Sequence, residues 1–202
     1  RISKEDLLRN RDYEMQSKRI ALKRKSSSSE DFLKTLKLVT HILPVKESSI
    51  GRVLQMLKKT NQFNLTTRRH SESKVREFLK NSENILLTIS LSDRFGDQGI
   101  VGLVIALADG QNINLDSFLL SCRAIGRGVE QALWSSFLNE VNNKKVNIFA
   151  EYIRTPKNSQ VSNFLDKQGL AKTNNDVDHC TYQVQLPLKA DFPYWIKNIK
   201  ST

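Results

Sequence analysis

The chain has 202 residues, 39% hydrophobic and 26% charged, which fits one globular domain with an appendage or a small two-domain protein. Its formal net charge of +11 favours acidic partners: nucleic acid, anionic lipid, a phosphorylated cofactor or an acidic carrier protein. No apolar run approaches the roughly 18–20 residues of a membrane span, and the two cysteines and three histidines stand singly, with neither zinc spacing nor a disulfide framework. The few aromatics are not interleaved with basic residues, which argues against a stacking nucleic-acid surface. The sequence opens at Arg1 with no charged-then-apolar signal segment. The expectation is a cytoplasmic protein, part of a longer chain, with no metal and with neither nucleic acid nor membrane as partner.

Residues 1–25 are densely charged, with sparse apolar positions at Leu7, Leu8, Met15, Ile20 and Leu22, and predict an exposed or domain-bridging helix. Ser28 or Ser29 caps a short helix that carries Glu30 and Asp31 in its first turn. A boundary near residue 37 separates this connector from the domain at 38–202. "LKLVTHILPV" reads as a strand ended by Pro44, and 47–60 as a helix with Ile50, Val53, Leu54 and Leu57 on one face. A polar, Asn- and Thr-rich stretch follows, then a short helix begun by Ser71 or Ser73. Strands are predicted at 84–92, 100–107 and 113–121, joined by "DRFGDQG" and by a hairpin Asp-Gly in "ADGQN". The clearest helix spans 125–141, with Ile125, Val129, Leu133, Phe137 and Val141 every four residues. A strand over 145–153, a short helix closed by Gly169 and a strand over 179–188 complete a mixed α/β sheet. It has too few strand-to-helix crossovers for a doubly wound dinucleotide fold.

The stretch "FLLSCRAIGRGVEQAL" (118–133) joins a central strand to the longest helix. Its two glycines are either a tight turn or a cradle for a phosphate-bearing ligand. Gly126 and Gly128 let a ligand approach the backbone. The first N–H groups of the following helix lack internal partners and suit an anion, and Arg123 and Arg127 add charge-assisted contacts. The spacing is neither Gly-x-Gly-x-x-Gly nor a Walker A, which disfavours ATP.

Arg123-Ala-Ile-Gly126-Arg-Gly128 resembles the Arg/Gln-x-x-Gly-x-Gly/Ala signature of the GNAT acyltransferase superfamily. The resemblance implies a GNAT fold, a mixed central sheet flanked by helices, whose loop holds the pyrophosphate of coenzyme A or phosphopantetheine as an acyl thioester. The implied cofactor-binding residues are Leu120, Arg123, Ile125, Gly126, Arg127, Gly128 and, in "EYIRTPKNSQVSNFLDKQGL", Asn158. "KTNQFNLTTRR", "SDRFGDQGIVG", "DSFLLSCRAIGRGVE" and "EYIRTPKN" are together similar to the C-terminal part of FkbH-like proteins. Those proteins of polyketide pathways join a HAD-type phosphatase-like domain to a GNAT-like domain. Residues 1–37 then correspond to the connector from a HAD-like domain. The implied activity is transfer of a small, glyceryl-type acyl group to the thiol of an acyl carrier protein. Two further readings stand beside it: a non-catalytic module that binds carrier or CoA for the HAD domain, and a conventional acetyl-CoA-dependent N-acetyltransferase.

Cys122, beside the anion loop, is a candidate to take the acyl group as a thioester, or else a small buried hydrophobe. Glu151 in the fourth strand is a general-base candidate or a structural ion-pair partner, and His179 a further catalytic candidate. Cys180 has no comparable setting. The tyrosine used as general acid by many GNAT enzymes corresponds here to Leu165, with Tyr152 nearby but unmatched, which favours thiol transfer or a binding role. Asn61, Gln62, Asn64, Thr66, Thr67 and Arg68 supply donors, acceptors and charge for a small acyl substrate, with Phe63 and Leu65 pinning the segment and Arg69 available to an anion. Asp93, Arg94 and Asp97 form either a plain turn or a network shaping the acceptor channel, with Arg94 assigned to substrate.

Overall fold

A computed structural model describes residues 4–199, excluding the side chains of 4–11 and Asn175. The apolar positions Leu7 and Leu8 of the first helix lie outside the described side chains. Helices α1 (Lys4–Lys25) and α2 (Ser29–Leu36) lead into β1 (Leu38–Pro44). Ser28 caps α2, its Oγ accepting from the Asp31 N–H at 3.1 Å. Next come α3 (Ile50–Lys59), β2 (Phe63–Asn64) and α4 (Glu72–Lys80), the last capped by Ser71, whose Oγ accepts from the Lys74 N–H at 3.2 Å. Strands β3 (Ile85–Asp93), β4 (Gly96–Asp109) and β5 (Asn112–Leu120) form an antiparallel meander. Helix α5 (Val129–Val141) crosses to β6 (Asn147–Ile153), parallel to β5. Helix α6 (Phe164–Lys167), β7 (Ala171–Asn175), β8 (His179–Gln185) and β9 (Ile196–Asn198) follow. The sheet runs β7-β8-β6-β5-β4-β3-β1-β9, and β2 pairs with β5 off this path.

Alternation along the strands divides the core into two layers. Leu86, Leu103, Ile105 and Leu119 pack under α3 and α4 with Val53, Leu57, Val75 and Phe78. Leu87, Ile89, Val104, Phe118 and Leu120 face α2, α5 and α6 through Phe32, Leu36, Leu133, Trp134, Phe137 and Phe164. On β5 the residues facing the α5 layer switch from Ile113 and Leu115 to Phe118 and Leu120. This change of parity marks a bulge: Ile105 pairs with Ser117 and Ala106 with Leu115, leaving Asp116 as the extra residue. A bulge bends its strand and ends regular pairing. The β5–β6 ladder indeed stops one residue earlier, at Leu115 and Ala150.

Three features differ from the sequence expectations. The predicted helix over 125–141 begins only at Val129, because Gly126 (φ 76°) and Gly128 (φ 84°) both take left-handed conformations that a helix cannot include. The first helix, expected to be exposed or bridging, is exposed along most of residues 12–25 but also docks one face on the domain. Met15 is buried with its Sδ only 2.5 Å from where a side chain at Gly96 would start, and Arg19 is also buried. Strands β2, β7 and β9, each two to five residues long, escape detection because their pairing comes from neighbouring edges rather than from their own pattern.

Candidate functional site

Beyond Leu115 and Ala150, β5 and β6 part, and the chain's own segment 63–66 enters the gap. Phe63 and Asn64 pair with Leu120 and Leu119. The Leu65 N–H donates to the Phe118 carbonyl at 3.2 Å, while the Leu65 carbonyl accepts from the Ile153 N–H at 2.9 Å. Thr66 Oγ1 donates to the Asp116 carbonyl at 2.8 Å. Phe63 seats among Phe118 and Phe164, and Leu65 is buried. Asn158, 0% exposed, fastens this insertion. Its Nδ2 donates to the Asn64 and Ile153 carbonyls at 3.0 and 2.9 Å, and its Oδ1 accepts from the Thr155 N–H and Tyr152 hydroxyl at 2.8 and 3.2 Å. Asn64 accepts from the Thr67 N–H through Oδ1 at 2.9 Å and donates to the Thr60 carbonyl at 3.1 Å, while Thr67 turns the chain at φ 51°. The sequence reading gave Asn64, Thr66 and Thr67 to substrate and Asn158 to cofactor. All four are engaged in building the gap.

Outside the plugged gap, at the C-terminal end of β5, lies a cleft of about 810 Å³. One wall is the face of α3 carrying Arg52, Gln55, Met56 and Lys59; Asn61 and Gln62 continue it. Leu120, Ser121, Cys122 and Arg123 form the floor, and the 156–160 loop closes the far side with Lys157. Arg52, Lys59, Arg123 and Lys157 supply positive charge, and no acidic residue lines the cleft among the described residues, although Asp12 of α1 lies 3.7 Å from Arg123 at its edge. Burial, reinforced by the neighbouring Arg123, lowers the Arg52 guanidinium from its ordinary value. Such crowding of like charge is what an anion relieves. Asn61 accepts from Arg69 through its Oδ1 at the rim.

The glycine turn follows Arg123 of the cleft floor in the chain, and its two glycines have different surroundings. A Cβ at Gly126 meets nothing within 4 Å, so its backbone is open to approach. A Cβ at Gly128 falls 2.9 Å from Trp195 Cζ2, because the C-terminal segment covers it and Trp195 Nε1 donates to the Arg127 carbonyl at 2.9 Å. Ile125 is half-buried in extended conformation before the turn. Arg127, expected at the ligand, points inward instead. It lies 3.6 Å from Asp93 and 3.3 Å from Gln98 Oε1, and burial followed by the Arg19 charge lowers it from its ordinary value. Cys122 is exposed on the cleft floor, and Cys180 is buried.

A second polar group flanks the bulge. Arg68 bridges Glu151 and Asp116, His179 Nε2 lies 3.2 Å from Glu151 Oε1, and His70 Nε2 lies 2.7 Å from Asp116 Oδ2. Arg68, Asp116 and Glu151 of this group line a cavity of about 450 Å³ together with Thr173, Thr181 and Tyr182. Burial raises the Asp116 carboxyl, but hydrogen bonds from His70 and Ser117 outweigh it, helped by the His70 and Arg68 charges, and hold it below its ordinary value. The structure thus joins Glu151, His179 and Arg68, and separates them from Cys122 by segment 63–66. Arg94 is exposed in the β3–β4 turn over Phe95 and lines neither cavity. Sequence reading missed Arg52, Lys59, Lys157, His70 and Asp116. A lone acid inside the apolar run "INLDSFLL" is the signal that marked Asp116. Among the described residues no group of three or more His, Cys, Asp or Glu is arranged to hold a metal, and no helix is long and apolar enough to cross a membrane.

No protein-family model matches the sequence, and no curated protein matches it either. Solved structures do match in shape. The ribosomal-protein-S18-alanine N-acetyltransferase of Escherichia coli superposes with a TM-score of 0.57 at 10% identity, over 77% of this chain and 99% of that one. A GNAT-family acetyltransferase of Staphylococcus aureus Mu50 gives 0.55 at 11% identity, over 73% and 99%. The Salmonella typhimurium protein yncA, solved with its cofactor acetyl-CoA, gives 0.54 at 13% identity, over 75% and 96%. The chain has the fold of the GNAT acetyltransferases.

Proposed function

We propose that this chain is an acyltransferase domain that grips the phosphate-bearing end of coenzyme A, or of a carrier-bound phosphopantetheine, and transfers a small acyl group to an acyl carrier protein thiol. The observation that carries the reading is the cleft lined by Arg52, Lys59, Arg123 and Lys157, with no acidic residue in its lining among the described residues, and with the open Gly126 three residues on from Arg123. The fold supports it, since one structural neighbour was solved with acetyl-CoA. In the transfer, the acceptor sulfur bonds to the acyl carbon, the carbon–sulfur bond to the donor breaks, and the departing thiolate takes a proton. Glu151 with His179 is the pair suited to remove the acceptor proton. Cys122, exposed at the cleft floor, can hold the acyl group between donor and acceptor. A carrier protein and a HAD-like domain as partners rest on the sequence resemblance, with the +11 charge suited to an acidic carrier.

The non-catalytic module remains a second reading for a specific reason. Segment 63–66 closes the gap between β5 and β6, and Leu165, at the position of the family's tyrosine, is buried. Calorimetry with coenzyme A on the wild type and on the Arg123→Glu/Lys157→Glu pair tests the cleft. Charge reversal should weaken binding by about tenfold or more, with the fold kept. Equal binding, or none by the wild type, overturns the proposal. Intact-mass analysis with acyl-CoA and a holo carrier then separates the readings: a heavier carrier supports transfer, and binding without any mass change supports the module.

A further inference from the structure

The glycine turn is tied to α1 through a buried ion cluster. Arg19 of α1 makes a two-pronged contact with Asp93, Nε to Oδ2 at 2.6 Å and Nη2 to Oδ1 at 3.0 Å. The Asp93 side chain is 0% exposed. The same carboxylate accepts from the Phe95 N–H at 2.9 Å, fixing the β3–β4 turn, and from Gln98 Nε2 at 3.4 Å. Arg127, between the two glycines, approaches its Oδ2 at 3.6 Å. Two buried guanidiniums therefore share one carboxylate, and Arg19 holds the closer position. Met15, one helical turn earlier, seats on the side-chain-free Gly96 of the same turn and fixes where α1 lies.

We propose that Arg19 is a positioning residue for the glycine turn, acting through Asp93 on Arg127. With its carboxylate oxygens held by Arg19, Asp93 keeps Arg127 at arm's length, and that distance sets where Gly126 and Gly128 stand. Remove the Arg19 charge, and Arg127 becomes the sole cation facing a buried carboxylate, which draws it inward. The backbone of the turn must follow, because Arg127 lies inside it. The excess positive charge beneath the turn also adds to the field that attracts an anion there. The effect on ligand affinity rests on the function proposed above, whereas the movement of the turn does not.

The protein contains its own reporter. Trp195 donates to the Arg127 carbonyl and lies against Gly128, while Trp134, the other of the two tryptophans, is on the buried face of α5. Two indole N–H signals are therefore expected in a proton–nitrogen spectrum of the full chain, assigned by Trp195→Phe. In Arg19→Ala the Trp195 signal should shift while that of Trp134 stays, and Arg19→Lys should return it toward the wild-type position. Arg19→Gln keeps a donor on Asp93 without the charge, and it reads the same displacement if the alanine variant does not fold. Coenzyme A affinity should fall about fivefold in Arg19→Gln and recover in Arg19→Lys. A Trp195 signal that stays in place in folded Arg19→Gln overturns the proposal. If the wild type binds no coenzyme A, the functional reading fails, and the Trp195 shift still decides this one.

Discussion

Alanine at Gly126 and at Gly128 should behave very differently, although both residues have positive φ, 76° and 84°. A left-handed conformation costs a non-glycine residue about 1–2 kcal/mol, partly offset by about 0.4–1 kcal/mol from the stiffer unfolded chain. Gly126→Ala carries only this term, since its Cβ enters open space. The expected loss is about 1 kcal/mol, or roughly 2–4 °C for a chain of this size. Gly128→Ala adds overlap with Trp195 Cζ2 at 2.9 Å, with Trp195 Nε1 at 3.2 Å and with Pro193 Cγ at 3.3 Å. Overpacking costs about 1–3 kcal/mol, and displacing the indole from the Arg127 carbonyl a further 1 kcal/mol or so. The sum is about 3–5 kcal/mol, or roughly 10 °C. Denaturant and thermal unfolding measure the pair, and coenzyme A calorimetry on the folded variants completes the comparison. Gly126→Ala should weaken binding out of proportion to its small cost in stability, because of the two glycines only that one is left uncovered for the proposed ligand. Equal destabilisation by the two variants would refute the packing argument. Unchanged binding in Gly126→Ala would refute the cradle.

Asn158→Ala removes four hydrogen bonds at once from a site with 0% exposure and strands the Asn64 and Ile153 carbonyls. A loss of about 3 kcal/mol or more is expected by denaturant unfolding, and Asn158→Asp should rescue little because a carboxylate cannot donate to those carbonyls. Asp116 gives an acid-sensitive contribution. Its folded pKa lies below the unfolded value near 3.9, so the stabilisation is complete above that pH and is lost as pH falls through the folded value. Stability measured from pH 6 to pH 2 should therefore fall less steeply at the acid end in Asp116→Asn than in the wild type.

The parts of the fold that were legible in the sequence are those whose pattern is local. The β3–β4–β5 meander shows in apolar runs and turn residues, and Ser28 and Ser71 cap α2 and α4 where cap residues were expected. The glycine turn was visible as a motif, but not the fate of its members. Nothing near Arg127 in sequence announces that Asp93 and Gln98 hold it inward, and nothing near Gly128 announces Trp195, which is 67 residues further on. The cationic cleft was hidden for the same reason. Arg52 and Lys59 share a face of α3 with Gln55 and Met56, yet on the sequence alone that face looks like an ordinary solvated side of an amphipathic helix.

One irregularity in the sheet accounts for the position of both polar systems. The extra residue in β5 at Asp116 ends regular pairing with β6, and the opening it creates has unpaired backbone groups on both sides. Segment 63–66 satisfies those groups from within the chain, which turns the opening into a wall. On one side of the wall lie the basic residues and the exposed Cys122; on the other lie Glu151, Asp116 and their histidines. A reaction that uses both sides therefore needs a ligand that passes around the wall or a chain segment that yields. The aromatic seat of Phe63 and the fourfold grip of Asn158 resist yielding. The roles proposed for Glu151 in transfer and for Arg123 in ligand binding are accordingly separable, and substitutions on one side should leave the other intact.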